Sequence, residues 1–300
     1  MIRHGERDLN TSKPAAASVE HHYTRSNLEN TILTALQNAG KNIEQLTVDD
    51  LAPVDEMHTR GREATANIAS LLNIQPNSYV LDVGAGIGGP SRYLASKFGC
   101  HVTGLDLVGE YCRVADSLAK RVKLDNLLTY RQGDATEMPF DDTTFDVVWT
   151  QHASMNTADK KKLYSEMHRV LKPSGGKLAI YDVFKGSNSS NIDGSASSIH
   201  FPVPWAPDPS ISHLISVEEA RKLLKEIVGF KEVAWEDKTE SVIDWVKQMM
   251  KRAQQTSGGG PPPLGLHVIG GPQWSEMVKN ALKNLEEGRI AVAQGIFERS

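Results

Sequence analysis

The sequence predicts an α/β fold: a seven-stranded, mostly parallel sheet with helices on both faces, an N-terminal helical cap and lid insertions. Three observations predict it. Between residues 79 and 183, short apolar runs alternate with amphipathic stretches at helical spacing, the signature of βαβ units with right-handed crossovers. A glycine-rich turn, Gly84-Ala85-Gly86-Ile87-Gly88-Gly89, follows the first of those apolar runs, where open α/β sheets place their ligands. Two further strand-like segments close the chain after a looser stretch.

Residues 1 to about 20 read as a flexible tail with little periodicity. Residues 21–75 read as the cap. Leu28, Ile32, Leu33 and Leu36 recur at helical spacing within Tyr23–Ala39, and Gly40 suits the position just past the helix end. Thr47 is placed to cap a second short helix, Glu63–Leu72 reads as a third, and Pro76-Asn77 breaks the pattern. Residues 76–300 read as one domain. Its strands are Tyr79–Val83, His101–Asp106, Leu128–Gln132, Phe145–Thr150 and Lys177–Val183, with helices at Ser91–Lys97, Gly109–Val122 and Asp159–Leu171. Beyond them come a Ser-, Asn- and Pro-rich excursion over 185–215, a helix at Val217–Val228 and a strand near Phe230–Trp235. A second insertion near 239–288 holds helices at Glu240–Ala253 and Trp274–Glu286 around a Gly/Pro linker, Ser257–Pro263, before a last strand at Arg289–Phe297.

Composition narrows the function classes. The 300 residues carry a net charge of -4 and 39% hydrophobic residues. A mildly acidic chain has no general pull toward nucleic acid or anionic membranes. No apolar run approaches the ~20 residues that span a bilayer, and the charged, polar start does not read as a secretory signal. Two cysteines in no metal-ligand spacing point to a reducing cytoplasm and no metal site. A homo-oligomer stays open.

The chemistry concentrates at the strand ends. Gly84, Gly86 and Gly89 fit Gly-x-Gly-x-x-Gly, which leaves a nicotinamide or flavin cofactor open. Asp82, two residues before Gly84, argues against one, because a carboxylate repels a pyrophosphate. It suits the ammonium and cationic sulfur of S-adenosylmethionine. Asp106 closes the second strand 22 residues after Gly84, where a carboxylate accepts from ribose hydroxyls of either cofactor. Asp134 can accept an adenine amino group, with Ala135 and Met138 as apolar neighbours.

This order, Asp-Val-Gly-Ala-Gly, then Asp106, Gly-Asp-Ala, Met-Pro-Phe and Arg169-Val-Leu-Lys-Pro-x-Gly-Gly, resembles the class I S-adenosylmethionine-dependent methyltransferases of Rossmann-like fold. Gly88-Gly89-Pro90-Ser91-Arg92-Tyr93-Leu94-Ala95 is similar to the small-molecule group that includes sarcosine/dimethylglycine and tocopherol methyltransferases. The resemblance implies an enzyme that binds S-adenosylmethionine. Asp82, Gly84, Ala85 and Gly86 would line its methionine part, Asp106 and Leu107 the ribose, Asp134 and Ala135 the adenine, and Gln151 the floor under the sulfonium.

An acceptor would enter above the sheet edge. His152, after the fourth strand, is the candidate base or orienter. Asn156, Trp205 and Tyr23 are candidate acceptor contacts, Trp205 either as part of a cation–π cage or as an apolar anchor for its loop. The expected reaction is methyl transfer to a small-molecule amine. O- or C-methylation of a natural product or quinol is the alternative, and a nicotinamide-dependent oxidoreductase a remote one. No flipped-base motif or basic arm accompanies them.

Overall fold

The computed structural model describes residues 14–188, 199–255 and 263–300. The element order is α1 (Pro14–Tyr23), α2 (Leu28–Asn38), α3 (Val48–Asp55), α4 (Gly61–Ser70), β1 (Tyr79–Val83), α5 (Gly89–Phe98), β2 (His101–Asp106), α6 (Gly109–Arg121), β3 (Leu128–Gln132) and β4 (Val147–Gln151). It continues with α7 (Lys160–Val170), β5 (Lys177–Lys185), α8 (Val217–Lys222), β6 (Phe230–Asp237), α9 (Thr239–Gln255), α10 (His267–Gly270), α11 (Trp274–Glu286) and β7 (Ile290–Arg299).

The seven strands form one sheet in the order β3-β2-β1-β4-β5-β7-β6. β1 to β5 are parallel, and β7 runs antiparallel between β5 and β6. The order reverses between β1 and β4, so the crevice at their C-terminal ends is the switch point where open sheets bind ligands. In that pair Asp82 lies opposite Trp149 and Val83 opposite Thr150.

Strand alternation feeds two cores. Val80, Val102, Trp149, Ala179 and Tyr181 pack on one face with Ile68 of α4, Leu94 of α5 and Val242 of α9. Leu81, Leu105, Val148, Ile180 and Phe297 pack on the other with Leu163 and Met167 of α7 and Leu224 beyond α8. A third cluster, with Leu28, Ile32, Leu36, Leu51 and Val54, fastens α2 and α3 to Val114 and Leu118 of α6. The cap therefore sits beside the C-terminal ends of β1 and β2.

Local chemistry explains most boundaries. Thr47 accepts the Asp50 N–H, and the Asp50 carboxylate accepts the Thr47 N–H, a reciprocal cap that starts α3. Gly40 has φ +78° just past α2. Three expectations are corrected. Residues 14–20 belong to α1 rather than a loose tail, held by burial of Val19 at the core edge; residues 1–13 lie outside the described residues. The helix expected to run from Tyr23 to Ala39 is two helices. Asn27 turns left-handed (φ 64°), and Glu110 accepts the Leu28 N–H at 3.3 Å, so α2 starts anew there. The fourth strand begins at Val147, because Phe145 makes only an isolated bridge to Leu171. The linker expected over 257–263 lies, up to residue 262, outside the described residues, as does 189–198 of the excursion.

Candidate active site

A cavity of about 410 Å³ opens over the switch point. Asp82, Gly84, Ala85, Gly86, Asp106, Leu107, Asp134, Ala135, Gln151, His152, Asn156, Trp205 and Tyr23 all line it. The fold thus brings together these residues that the sequence singles out, while Met138, expected beside the adenine, is buried in the core on the sheet's other face and does not line the cavity.

The turn after β1 is built for close approach. Gly84 has φ +75°, and a Cβ there would lie 2.3 Å from that of Ala153. Gly86 has φ +54° and donates its N–H to Asp106 Oδ2 at 2.8 Å. A side chain at either position would strain the backbone. The Val108 N–H also donates to Asp106, at 2.9 Å. Burial still pushes the Asp106 carboxyl up to about 6 against these donors. Asp82, buried, accepts from Ser91 Oγ at 2.6 Å, and burial drives its carboxyl to about 7 despite that bond. Asp134 accepts from the Thr136 N–H and Oγ1, both at 2.7 Å.

Beneath the turn runs a buried polar network that the sequence did not reveal. The Gln151 side-chain oxygen lies 2.9 Å from Trp149 Nε1 and 3.2 Å from Thr65 Oγ1. Thr65 Oγ1 lies 2.7 Å from Glu56 Oε2, which His58 Nε2 also meets at 3.0 Å. Burial works against the charge on Glu56, but His58 and Arg62 outweigh it and hold the carboxyl below its usual range. Asp55-Glu56-Met57-His58 stands out in the sequence as a polar run. Only its burial between the cap and the sheet shows that it faces the cavity.

His152 stands just past β4 in a left-handed conformation, φ 47°, a strain that clusters at functional sites. Its N–H donates to Tyr181 O at 2.8 Å, and its ring stacks on that of Tyr181 at 5.2 Å. Its Nε2 lies 3.3 Å from Thr59 Oγ1, which lies 2.9 Å from the Tyr181 hydroxyl. Burial, aided by His58, holds the imidazole well below its ordinary pKa, so it stays neutral at neutral pH.

Three candidate acceptor contacts brace one another. Tyr23 donates to Asn156 Oδ1 at 3.0 Å. Asn156 Nδ2 donates to Trp205 O at 2.8 Å and Ile211 O at 2.9 Å. Trp205 is buried and donates its indole N–H to Ser212 Oγ at 3.0 Å. Asn156 thus ties α1 to the loop before α8, and Trp205 anchors that loop while exposing part of its surface to the cavity.

The donor set fits S-adenosylmethionine. Three carboxylates from three strand ends meet a glycine turn, and no lysine among the described residues lines the cavity. That suits a cationic, phosphate-free ligand rather than a dinucleotide. Gln151 and Thr150 line the cavity with Nε2 and Oγ1 buried and without a hydrogen-bond partner among the described residues, so a bound ligand could satisfy them.

Comparisons agree with the geometry. Residues 81–180 match the family model described as a methyltransferase domain. The glycine/sarcosine/dimethylglycine N-methyltransferase of Actinopolyspora halophila is 34% identical over 126 residues, 42% of this chain but 22% of that one. The sarcosine/dimethylglycine N-methyltransferase of Halorhodospira halochloris is 28% identical over 242 residues, 80% of either chain. In structure, the geranyl diphosphate C-methyltransferase of Streptomyces coelicolor A3(2) superposes with a TM-score of 0.68 at 16% identity, covering 96% of this chain and 99% of that one, a likeness of fold. The nicotinamide cofactor left open by the glycine spacing gives way to this match. Residues 81–180 are thus similar to a methyltransferase domain, and the chain as a whole shares its fold with methyltransferases of solved structure.

Proposed function

We propose that the protein transfers the methyl group of S-adenosylmethionine to a small-molecule amine. S-adenosylmethionine, when bound, supplies a methyl group already activated on a cationic sulfur. The chain's residues then have to bind, orient and exclude water. In this reading Asp82 and the Gly84–Gly86 turn hold the methionine part, Asp106 and Leu107 the ribose, and Asp134 and Ala135 the adenine. Gln151 forms the floor under the sulfur.

His152 is the observation that carries the amine reading. A neutral imidazole at the cavity wall can orient the free amine through its ring nitrogen, and burial keeps it neutral. Thr59 and Tyr181 hold the ring in place. The relatives named for sarcosine and dimethylglycine support an amine acceptor. O- or C-methylation is the second reading, favoured by the aromatic and aliphatic side chains of α9 and α11 on the cavity's far wall. Two buried free cysteines suit a reducing cytoplasm.

Transfer of labelled methyl to a panel of amines, phenols and quinols tests the reading. Label in an amine is expected, and His152→Ala should lower turnover more than about tenfold, ~1.4 kcal/mol. Label confined to phenols or quinols would replace the amine reading with the second one. A smaller loss in His152→Ala would reduce His152 to a structural role.

A further inference from the structure

The cavity is two-sided. Carboxylates and the glycine turn stand at the ends of β1, β2 and β3, and a helical wall faces them. Trp245 and Met249 of α9, Ile269 of α10, and Trp274 and Met277 of α11 contribute that wall, with Trp205 at its margin. Sequence spacing produces it: Val242, Trp245, Val246 and Met249 recur every three or four residues, so one face of α9 turns to the sheet.

Fixed positive charge is scarce there. Among the described residues Arg25 is the one arginine that lines the cavity; its charge acts on Tyr111 and His22, and its Nε lies 3.8 Å from where a Cβ on Gly271, between α10 and α11, would stand. Lys160, nearby in the fold, spends its ammonium on the carbonyls of Ser154 (2.6 Å), Thr157 (2.5 Å) and His213 (2.7 Å). Among the described residues the lining histidines are His22, His58 and His152. Burial lowers the first and the last toward the neutral form, and His58 is already paired with Glu56. A carboxylate or phosphate on the acceptor would therefore find Arg25 as its one fixed cation among the described lining residues, and away from it would be desolvated without a charged partner, which is costly. Apolar rings or chains meet tryptophan faces and pliable methionines instead.

We infer that the acceptor is a bulky apolar molecule, ring- or chain-built, whose one polar group in the chamber is the group that takes the methyl. The inference rests on the methyl-transfer reading and narrows it. The wall supplies affinity through buried apolar area, and the tryptophan faces favour the cationic, methylated product through cation–π contact.

Calorimetry on the full chain loaded with S-adenosylhomocysteine tests it. The probes are N,N-dimethyltryptamine and N,N-dimethylbenzylamine against dimethylglycine and phosphoethanolamine. The apolar amines should bind saturably and at least about tenfold tighter than the polar ones. Met249→Arg on α9 and Ala281→Arg, at a residue that lines the same wall from α11, should each weaken apolar binding by a similar factor and leave S-adenosylhomocysteine binding unchanged. Equal or tighter binding of the polar amines, saturation by neither class, or variants that bind apolar amines as the parent does would overturn the inference. A parallel labelled-methyl assay separates the two levels. Label in dimethylglycine's precursor sarcosine but not in apolar amines sinks the apolar acceptor and keeps N-methylation. Label in an apolar phenol but not in the matched amine does the reverse.

Discussion

At the scale of single residues, burial sets protonation at the site. Asp82 titrates at about 7 in the folded chain against an ordinary 3.8, chiefly through burial. Folded protein therefore keeps that proton between about pH 4 and 7, where the unfolded chain releases it. The stability it contributes is full below pH 4 and is lost as pH rises through about 7. Asp82→Asn should remove this loss. In ligand-free thermal melts the variant should gain on the parent between pH 5 and 8 by on the order of 2–4 kcal/mol. A cationic donor prefers the ionised carboxylate, so S-adenosylmethionine affinity of the parent should rise over the same range. A variant that tracks the parent at every pH would show that Asp82 does not titrate there. The carboxylates, glycines and His152 were legible in the sequence because their spacing follows strand ends. Glu56, His58, Thr59, Thr65 and Tyr181 were not, since Thr59 and Thr65 reach Gln151, His152 and Tyr181 only across 86 to 122 residues of chain.

At the scale of elements, α3 and α5 meet across a buried ion pair. Arg92 donates to Asp55 at 2.8 Å, both side chains are fully buried, and the Asp55 carbonyl lies where a Cβ on Gly89 would clash at 2.3 Å. Removing one partner strands a charge in a dry interface. Asp55→Ala or Arg92→Leu alone should cost about 3–5 kcal/mol in denaturant unfolding, and the double variant less than the two together. Additive losses would mean that the pair is not coupled. The start of α3 and the boundaries of β2, β3 and α11 were readable from caps and periodicity. The break between α1 and α2 was not, because it depends on Glu110 of α6 reaching the Leu28 N–H.

For the whole molecule, the cap and the helices before β7 close over one edge of the sheet, and α1 is the outermost part of that closure. Val19 and Tyr23 line the cavity from α1, and Tyr23 reaches Asn156 across 133 residues. A chain starting at Leu28 should keep its sheet, with an unchanged far-UV strand signal. It should bind S-adenosylhomocysteine at least about tenfold more weakly by calorimetry. Undiminished affinity would make α1 a bystander. No helix among the described residues is long and apolar enough to cross a membrane.

The sequence by itself determined the seven strands, the glycine turn and the donor-side carboxylates, because alternation, turn chemistry and strand-end spacing are local properties of the chain. Only the tertiary structure decided which residues share the cavity with them. The network from Glu56 to Gln151, the bracing of Trp205 by Asn156 and the apolar wall of α9 to α11 arise from packing between distant segments. Their residue types are ordinary core and surface types until the fold buries them together.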